Sequence, residues 1–173
     1  MMHVTFQRAR NEEQREIRRQ AILDTAAAML DEMPVAELSL NELSRRVGLA
    51  KSNVLRYFES REAVLLELLD DFLGSWLAEV TDELAAGIEA QASPEVRAGQ
   101  LADILSQSLA SRVVLCDLFG AQGGVLEHNV SVDVVKRHKR SSLTKLAAMA
   151  ELVRRQVPEL GDGAQLFCLM SLV

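Results

Sequence analysis

The chain has 173 residues, a formal net charge of −6, 49% hydrophobic residues and 25% charged residues. These proportions exclude disordered and collagen-like chains, and the length fits one domain of ordinary size or a small module fused to a larger one. An acidic balance also argues against a nucleic-acid-binding protein, which usually presents a basic surface.

The charge is divided unevenly along the chain. Residues 1–62 contain ten basic and ten acidic residues, so the whole net charge of −6 belongs to the residues after 62. Within the first part, residues 43–58 carry four positive charges and no acidic residue. This asymmetry predicts two parts with different partners. Because the first part has no acidic excess, the net charge does not argue against nucleic-acid binding by that part.

The first predicted element is a helix whose apolar residues recur at helical spacing. Asn11 is a suitable N-cap, and the Met33-Pro34 pair ends the helix. The apolar positions that define its stripe are Ile17, Ala21, Ile22, Ala26, Ala27 and Leu30.

Two short helices follow and form one unit. Ser39 and Glu42 have the spacing of a capping box and begin the second helix, which Gly48 ends. A third helix runs from about Ala50 to Phe58. Two short helices joined by a glycine-containing turn predict a helix-turn-helix unit. Its apolar positions are Leu40, Leu43, Val47, Val54 and Phe58.

Five further helices are predicted, and no strand alternation is found. The fourth helix is long, begins after Ser60 and repeats apolar residues at the 3.6-residue period. The remaining four begin near Ser93-Pro94, Val113, Ser131 and Asp162. The sequence therefore predicts an all-α protein.

The third helix carries side chains suited to DNA. In a helix-turn-helix unit the second of the two helices places its first residues at base edges in the major groove. Lys51 can reach guanine acceptors or phosphate, and Asn53 can pair with adenine. Lys51, Ser52 and Asn53 come first on the helix, and Asn53, Arg56 and Tyr57 share one face.

Other basic residues flank this helix. Arg45, Arg46 and Arg61 are placed for phosphate contacts, which position a protein without reading sequence. Residues 8–19 either reach an adjacent groove or form a solvated end, because acidic residues are interleaved with their arginines. The alternative for the whole unit is a short helical hairpin with solvated charges.

Residues 39–63, SLNELSRRVGLAKSNVLRYFESREA, closely resemble the DNA-binding segment of the tetracycline-repressor (TetR/AcrR) family of bacterial transcriptional regulators. The resemblance implies an N-terminal three-helix helix-turn-helix DNA-binding domain over 1–60 and a C-terminal helical bundle for ligand binding and dimerisation over 61–173. It also implies a homodimer that reads a palindromic double-stranded DNA operator with half-sites roughly 34 Å apart.

The resemblance also implies which residues contact DNA. Leu55 stands where the family usually has Tyr, which suggests an apolar contact to a thymine methyl group or no contact. The family's contact positions correspond here to Ser39, Asn41, Lys51, Ser52, Asn53, Tyr57 and Arg61.

The predicted C-terminal bundle suits a mostly apolar pocket for a small-molecule effector. The chain has only seven aromatic residues, too few to favour a cage of stacked aromatic rings around a cationic drug. A small or aliphatic effector is therefore expected. Each candidate pocket residue can also be plain core. The candidates are Leu68, Phe72, Trp76, Leu105, Leu109, Phe119, Met149 and Leu152.

Several other features indicate no further chemistry. The basic run over residues 136–140 covers a whole helix circumference and is expected to be solvated, with an anion contact as the alternative. Cys116 and Cys168 lie in apolar surroundings and are expected to be small buried residues. The three histidines lack metal spacing, and no catalytic motif or cofactor-binding loop occurs. No secretory signal or membrane span is visible, so we expect a cytoplasmic protein.

Residues 166–173 are apolar, and the chain stops inside a predicted helix. Either the sequence is truncated there, or this helix forms most of a dimer interface. The function expected from the resemblance is a ligand-responsive regulator, a repressor that an effector releases from its operator by shifting the fourth helix. The alternatives are a helical module that regulates a partner protein and a small-molecule enzyme built in a helical bundle.

Overall fold

The computed structural model describes the backbone of residues 2–171 and the side chains of residues 12–171. No β-strand occurs among residues 2–171, so the predicted all-α class is confirmed. Short 3₁₀ turns cover Val35–Glu37 and Pro158–Leu160, and a π-helical turn covers Gln122–Leu126. The α-helices are α1 (Met2–Leu30), α2 (Leu40–Val47), α3 (Lys51–Val54), α4 (Arg61–Gly87), α5 (Pro94–Ala110), α6 (Val113–Ala121), α7 (Val132–Gln156) and α8 (Gly163–Ser171).

Helix α1 is longer than the sequence pattern predicts. It begins at Met2, so Asn11 lies inside the helix and is not its cap. Good helix formers surround this asparagine, which explains why the helix continues through it. The side chains of residues 12–18 are exposed, and Ile17, which was expected in the core, is 62% exposed. Burial begins only at Ile22, where α1 meets α2 and α4.

The helix-turn-helix unit is built around Leu43, Val54 and Phe58, which are almost completely buried. Gly48 takes the left-handed conformation with φ of 71° and ends α2, and the Leu49 N–H donates to the Ser44 carbonyl at 3.0 Å. The third helix was predicted to reach Phe58, but regular α-helix ends at Val54 and hydrogen-bonded turns complete the segment.

Helix α4 is the central element of the molecule. The Ser60 hydroxyl caps it by accepting from the Ala63 N–H at 3.1 Å, as predicted. Its first turns bury apolar side chains next to the helix-turn-helix unit, and its later turns bury Trp76, Val80 and Leu84 among α5, α6 and α7. Arg19 of α1 pairs with Glu67 of α4 and lies 4.9 Å over the Phe58 ring.

Helices α5 and α6 meet at a sharp angle. Taken alone, none of the helices in residues 2–171 is long and apolar enough to cross a membrane, and only the α5–α6 stretch, bent by 88°, passes that test as a pair. Cys116 of α6 is exposed, contrary to prediction, whereas Cys168 of α8 is buried. A nine-residue helix packed on one side leaves its other side in solvent, and Cys116 lies on that side.

Helix α7 begins at the Ser131 cap and carries the basic run over residues 136–140. Its four lysines and arginines are exposed as predicted, but His138 is only 6% exposed. The His138 Nε2 atom lies 3.0 Å from Gln122 Nε2, and its Nδ1 atom is buried with no hydrogen-bond partner among the described residues. Burial lowers the pKa of His138 below its usual value of 6.5.

We predict that Gly48→Ala lowers the free energy of unfolding by about 1–2 kcal/mol, because an L-residue is strained at positive φ. Gly99→Ala is the matched control. Gly99 is exposed within α5, and a Cβ added there meets no neighbouring atom within 4 Å, so the same substitution should stabilise by about 0.5–1 kcal/mol. Denaturant unfolding of both variants measures the change in the free energy of unfolding, which should be negative for Gly48→Ala and positive for Gly99→Ala. Equal effects would contradict the conformational role of Gly48.

The lowered pKa of His138 predicts a pH-dependent stability. The unfolded state takes up a proton near pH 6.5 while the folded state resists it, so stability is complete above that pH and falls as the pH drops below it. We expect the melting temperature of the wild type to fall more between pH 7.5 and 5.5 than that of His138→Gln. Identical pH dependence in both proteins would show that the buried imidazole is not responsible.

Candidate nucleic-acid interface

The outer side of α3 presents a polar surface. Lys51, Ser52, Asn53 and Arg56 are exposed, and Leu55 is 41% exposed among them. Val54 and Phe58 anchor the segment from the inner side. The structure therefore leaves these side chains, which were predicted for base contacts, accessible to a partner.

Tyr57 differs from its neighbours on this surface. It was expected to be exposed, but it is half-buried and packs against the core of the helix-turn-helix unit. Its removal would therefore disturb packing as well as any DNA contact.

An open groove of about 550 Å³ lies between α1 and α3. Arg15 and Arg18 of α1 and Arg56, which follows α3, line it, and none of the described lining residues is acidic. Of the segment 8–19, for which a groove contact and a solvated end were both expected, Arg15 and Arg18 lie in this groove. The side chains of residues 8–11 lie outside the described part. The spacing of three residues between Arg15 and Arg18 places both on one face of a helix, and this was the sequence signal that could have identified them. The lining residues are Gln14, Arg15, Arg18, Leu49, Asn53, Arg56 and Tyr57.

Arg45 and Arg46 are held by carboxylates. Arg45 Nε donates to one Glu42 oxygen at 2.9 Å, and Arg46 donates to the other at 2.9 Å and to Glu32 at 2.7 Å. The hydrogen bond from Arg45, followed by that from Arg46, lowers the pKa of Glu42 to about 2. Any phosphate contact by these arginines requires them to exchange a carboxylate for a phosphate.

Only half of the predicted capping box forms. The Ser39 hydroxyl accepts from the Glu42 N–H at 3.3 Å, so the cap itself is present. The Glu42 side chain turns to the two arginines instead of returning to Ser39. Asn41 is exposed on the first turn of α2.

Arg61 points into the molecule. Its guanidinium donates to the Val35 carbonyl at 2.6 Å and lies 3.6 Å from Glu62, and its side chain is 21% exposed. Arg61 thus holds the 3₁₀ turn that precedes α2. Its contact with phosphate stays a prediction.

Three cavities surround Trp76, whose indole N–H donates to the buried Ser108 hydroxyl at 3.2 Å. One of about 190 Å³ is also lined by Phe119 and Met149, and one of about 290 Å³ by Leu105, Leu109 and Met149. The third, of about 520 Å³, is lined by Phe72.

Two of the predicted pocket residues line none of these three cavities. Leu68 is 3% exposed on α4, and Leu152 is half-buried on α7. Both pack into the hydrophobic core. Within the described part of the chain, no cluster of three or more His, Cys, Asp or Glu residues is arranged to hold a metal ion.

Comparisons with known proteins agree with this architecture. The family model described as bacterial regulatory proteins, tetR family, matches residues 22–68, and the model described as tetracyclin repressor-like, C-terminal domain, matches residues 70–173. The transcriptional regulator EthR of Mycobacterium tuberculosis is 44% identical over 50 residues, which is 29% of this chain and 23% of EthR.

Two further proteins are similar over longer stretches. The regulator BetI of Rhizobium meliloti is 26% identical over 85 residues, 49% of this chain and 40% of BetI, so the chain aligns with less than half of either curated relative. A structure from Mesorhizobium loti described as a TetR-family regulator covers 85% of this chain and 71% of its own, with 16% identity and a TM-score of 0.52, which supports the fold alone.

The second family model by itself spans more than half of the chain, and the first covers the helix-turn-helix unit. Together they indicate a DNA-binding transcriptional regulator and not an enzyme. The chain belongs to the TetR family of bacterial transcriptional regulators.

Proposed function

We propose that the chain forms a homodimeric repressor that binds a palindromic operator and releases it when a small molecule occupies the C-terminal body. Residues 1–60 form the DNA-binding domain and residues 61–173 the ligand-binding and dimerisation domain. The observation that carries the proposal is the acid-free groove beside α3, lined by Arg15, Arg18 and Arg56. Because its partner is operator DNA, we place its action in the bacterial cytoplasm.

The surface divides into reading and positioning contacts. Lys51, Asn53 and Arg56 have donors that match base edges in the major groove, and the exposed part of Leu55 suits a thymine methyl group. Arg15 and Arg18 approach from α1 and suit the phosphates beside that groove. Such contacts make affinity strongly dependent on salt.

Exposed apolar side chains on α7 and α8 support dimerisation. Leu143, Leu166, Leu169 and Met170 are 48–73% exposed on these two packed helices. Water contact at so many neighbouring apolar groups is unfavourable, and a second copy of the same surface covers it in a two-fold dimer.

The cavity of about 190 Å³ between α4, α6, α7 and α8 is the proposed effector site. Six leucines, Trp76, Phe119 and Met149 form most of its wall. Polar side chains border it, namely Gln122, Lys139, Ser142 and Lys145. This lining suits a small, largely aliphatic molecule with a polar group. Release of DNA requires the effector to bind the released state more tightly than the operator-bound state.

We predict that Lys51→Ala abolishes retention of an operator selected from random duplexes, with little change in thermal stability, because Lys51 is exposed. Lys136→Ala removes the same charge from the exposed side of α7 and should bind like the wild type. Equal loss in both variants would indicate a nonspecific charge effect.

Tyr57→Phe tests the neighbouring hydroxyl without removing the half-buried ring. We expect weaker operator binding and an unchanged melting temperature. Failure of the wild-type protein to retain any duplex, together with stable capture of one partner protein, would instead support the alternative of a protein-interaction module.

We predict that Leu166→Asp combined with Met170→Asp yields a monomer in light scattering and weakens operator binding at least about tenfold, because each subunit alone reads only half of the site. Val113→Asp is the control, since Val113 is 74% exposed but lies on α6. A dimer that persists in the double variant would place the interface elsewhere.

A further inference from the structure

One continuous stretch of the C-terminal body contacts the chain on both sides of the helix-turn-helix unit. One contact comes just before α2 and the other just after the segment that follows α3. This stretch, residues 117–131, is called the bridge segment below. It starts in α6, passes through the π-helical turn and ends at the N-cap of α7.

The first end of the bridge segment holds the approach to α2. The Asp117 carboxylate accepts from the Val35 N–H at 2.8 Å, across 82 residues of sequence. Val35 is 2% exposed in the 3₁₀ turn that leads to Ser39, the cap of α2. Since Arg61 of α4 donates to the Val35 carbonyl, α6 and α4 hold opposite sides of the same residue.

The second end holds the exit from α3. The Ser131 N–H donates to the Glu59 carboxylate. Glu59 lies between Phe58, which anchors the helix-turn-helix unit, and Ser60, which caps α4. The two links therefore bracket the unit, one before α2 and the other after α3.

The middle of the bridge segment lines the proposed effector cavity. Phe119 and Gln122 both face this cavity, two and five residues after Asp117. Gln122 also begins the π-helical turn, and π-helical turns occur frequently at functional sites. Leu126 is completely buried and fixes the end of that turn in the core. A molecule in the cavity thus contacts the same segment that holds the helix-turn-helix unit.

We propose that Asp117 is a positioning residue that transmits occupancy of the cavity to the DNA-reading helices. The inference rests on the proposed function for its DNA readout. Displacement of Phe119 by an occupant shifts α6, and the 3₁₀ turn follows because an unsatisfied buried N–H at Val35 is costly. The turn leads directly into α2, so its movement reorients the reading surface. Packed elements switch between discrete arrangements of this kind.

The test uses Asp117→Ala and its conservative partner Asp117→Asn in the full chain. Because the effector is unidentified, Leu146→Trp is the probe of occupancy, since Leu146 lines the cavity from α7, opposite the bridge segment. Hydrogen exchange at the Val35 amide is measured in each variant and in the double variants. Exchange at amides in the middle of α5 serves as the control for global unfolding.

We expect Asp117→Ala to speed Val35 exchange by about tenfold or more, the factor corresponding to loss of one charge-assisted hydrogen bond. Asp117→Asn should exchange like the wild type, because its amide oxygen still accepts. Leu146→Trp should speed Val35 exchange when Asp117 is present and change it no further in the Asp117→Ala background. If cavity filling leaves Val35 exchange unchanged while α5 stays protected, the inference is overturned. Leu146→Phe, a smaller enlargement at the same position, replaces the probe if Leu146→Trp does not fold.

Affinity for a duplex selected with the wild type provides the second readout. Asp117→Ala and Leu146→Trp should each weaken it, and the double variant should show less than the product of the two losses, as residues in one coupled path do. Independent losses that multiply would contradict the coupling. A wild type that binds no duplex would refute the proposed function, and the Val35 exchange result would still decide whether the cavity and the turn are coupled.

Discussion

The structure depends on the burial of one long helix. Helix α4 buries apolar side chains along most of its length, from Val64 beside the helix-turn-helix unit to Leu84 among α5 and α6. Each fully buried leucine or valine contributes roughly 1.5–3 kcal/mol relative to an exposed one. The two parts of the chain therefore share a helix and a continuous core, and no linker separates them. A displacement of α4 or of its neighbours therefore changes the packing of both parts.

Polar contacts set the finer geometry on top of this core. Gly48 fixes the turn between α2 and α3, and Arg19 joins α1 to α4 while covering Phe58. Glu42 organises Arg45 and Arg46 at the end of α2. The arginines of the α1–α3 groove have no acidic side chain among their neighbours in that groove. Arg45 and Arg46 must therefore give up a carboxylate before they can bind a phosphate, whereas the arginines of the groove need not.

Features that depend on local sequence were predictable, and those that depend on distant contacts were not. The all-α class, the caps at Ser60 and Ser131, the end of α2 and the start of α5 follow from side chains within a few residues of each helix terminus. The exposure of Ile17 and Cys116 and the burial of His138 depend on which neighbour a helix face meets. The Asp117–Val35 bond spans 82 residues and leaves no periodic signal. In the candidate site, the exposed face of α3 was predictable from its buried anchors, whereas the contribution of Arg15 and Arg18 needed the position of α1.

The claim on which this account depends is that the α1–α3 groove binds the DNA backbone. The most direct measurement is the salt dependence of affinity for a selected operator, compared between the wild type and Arg15→Gln combined with Arg18→Gln. Each phosphate neutralised contributes about 0.9 to the slope of log affinity against log salt, so the double variant should have a slope lower by about two per subunit and a weaker affinity. An unchanged slope with unchanged affinity would contradict the account, because the groove would then lie away from the DNA.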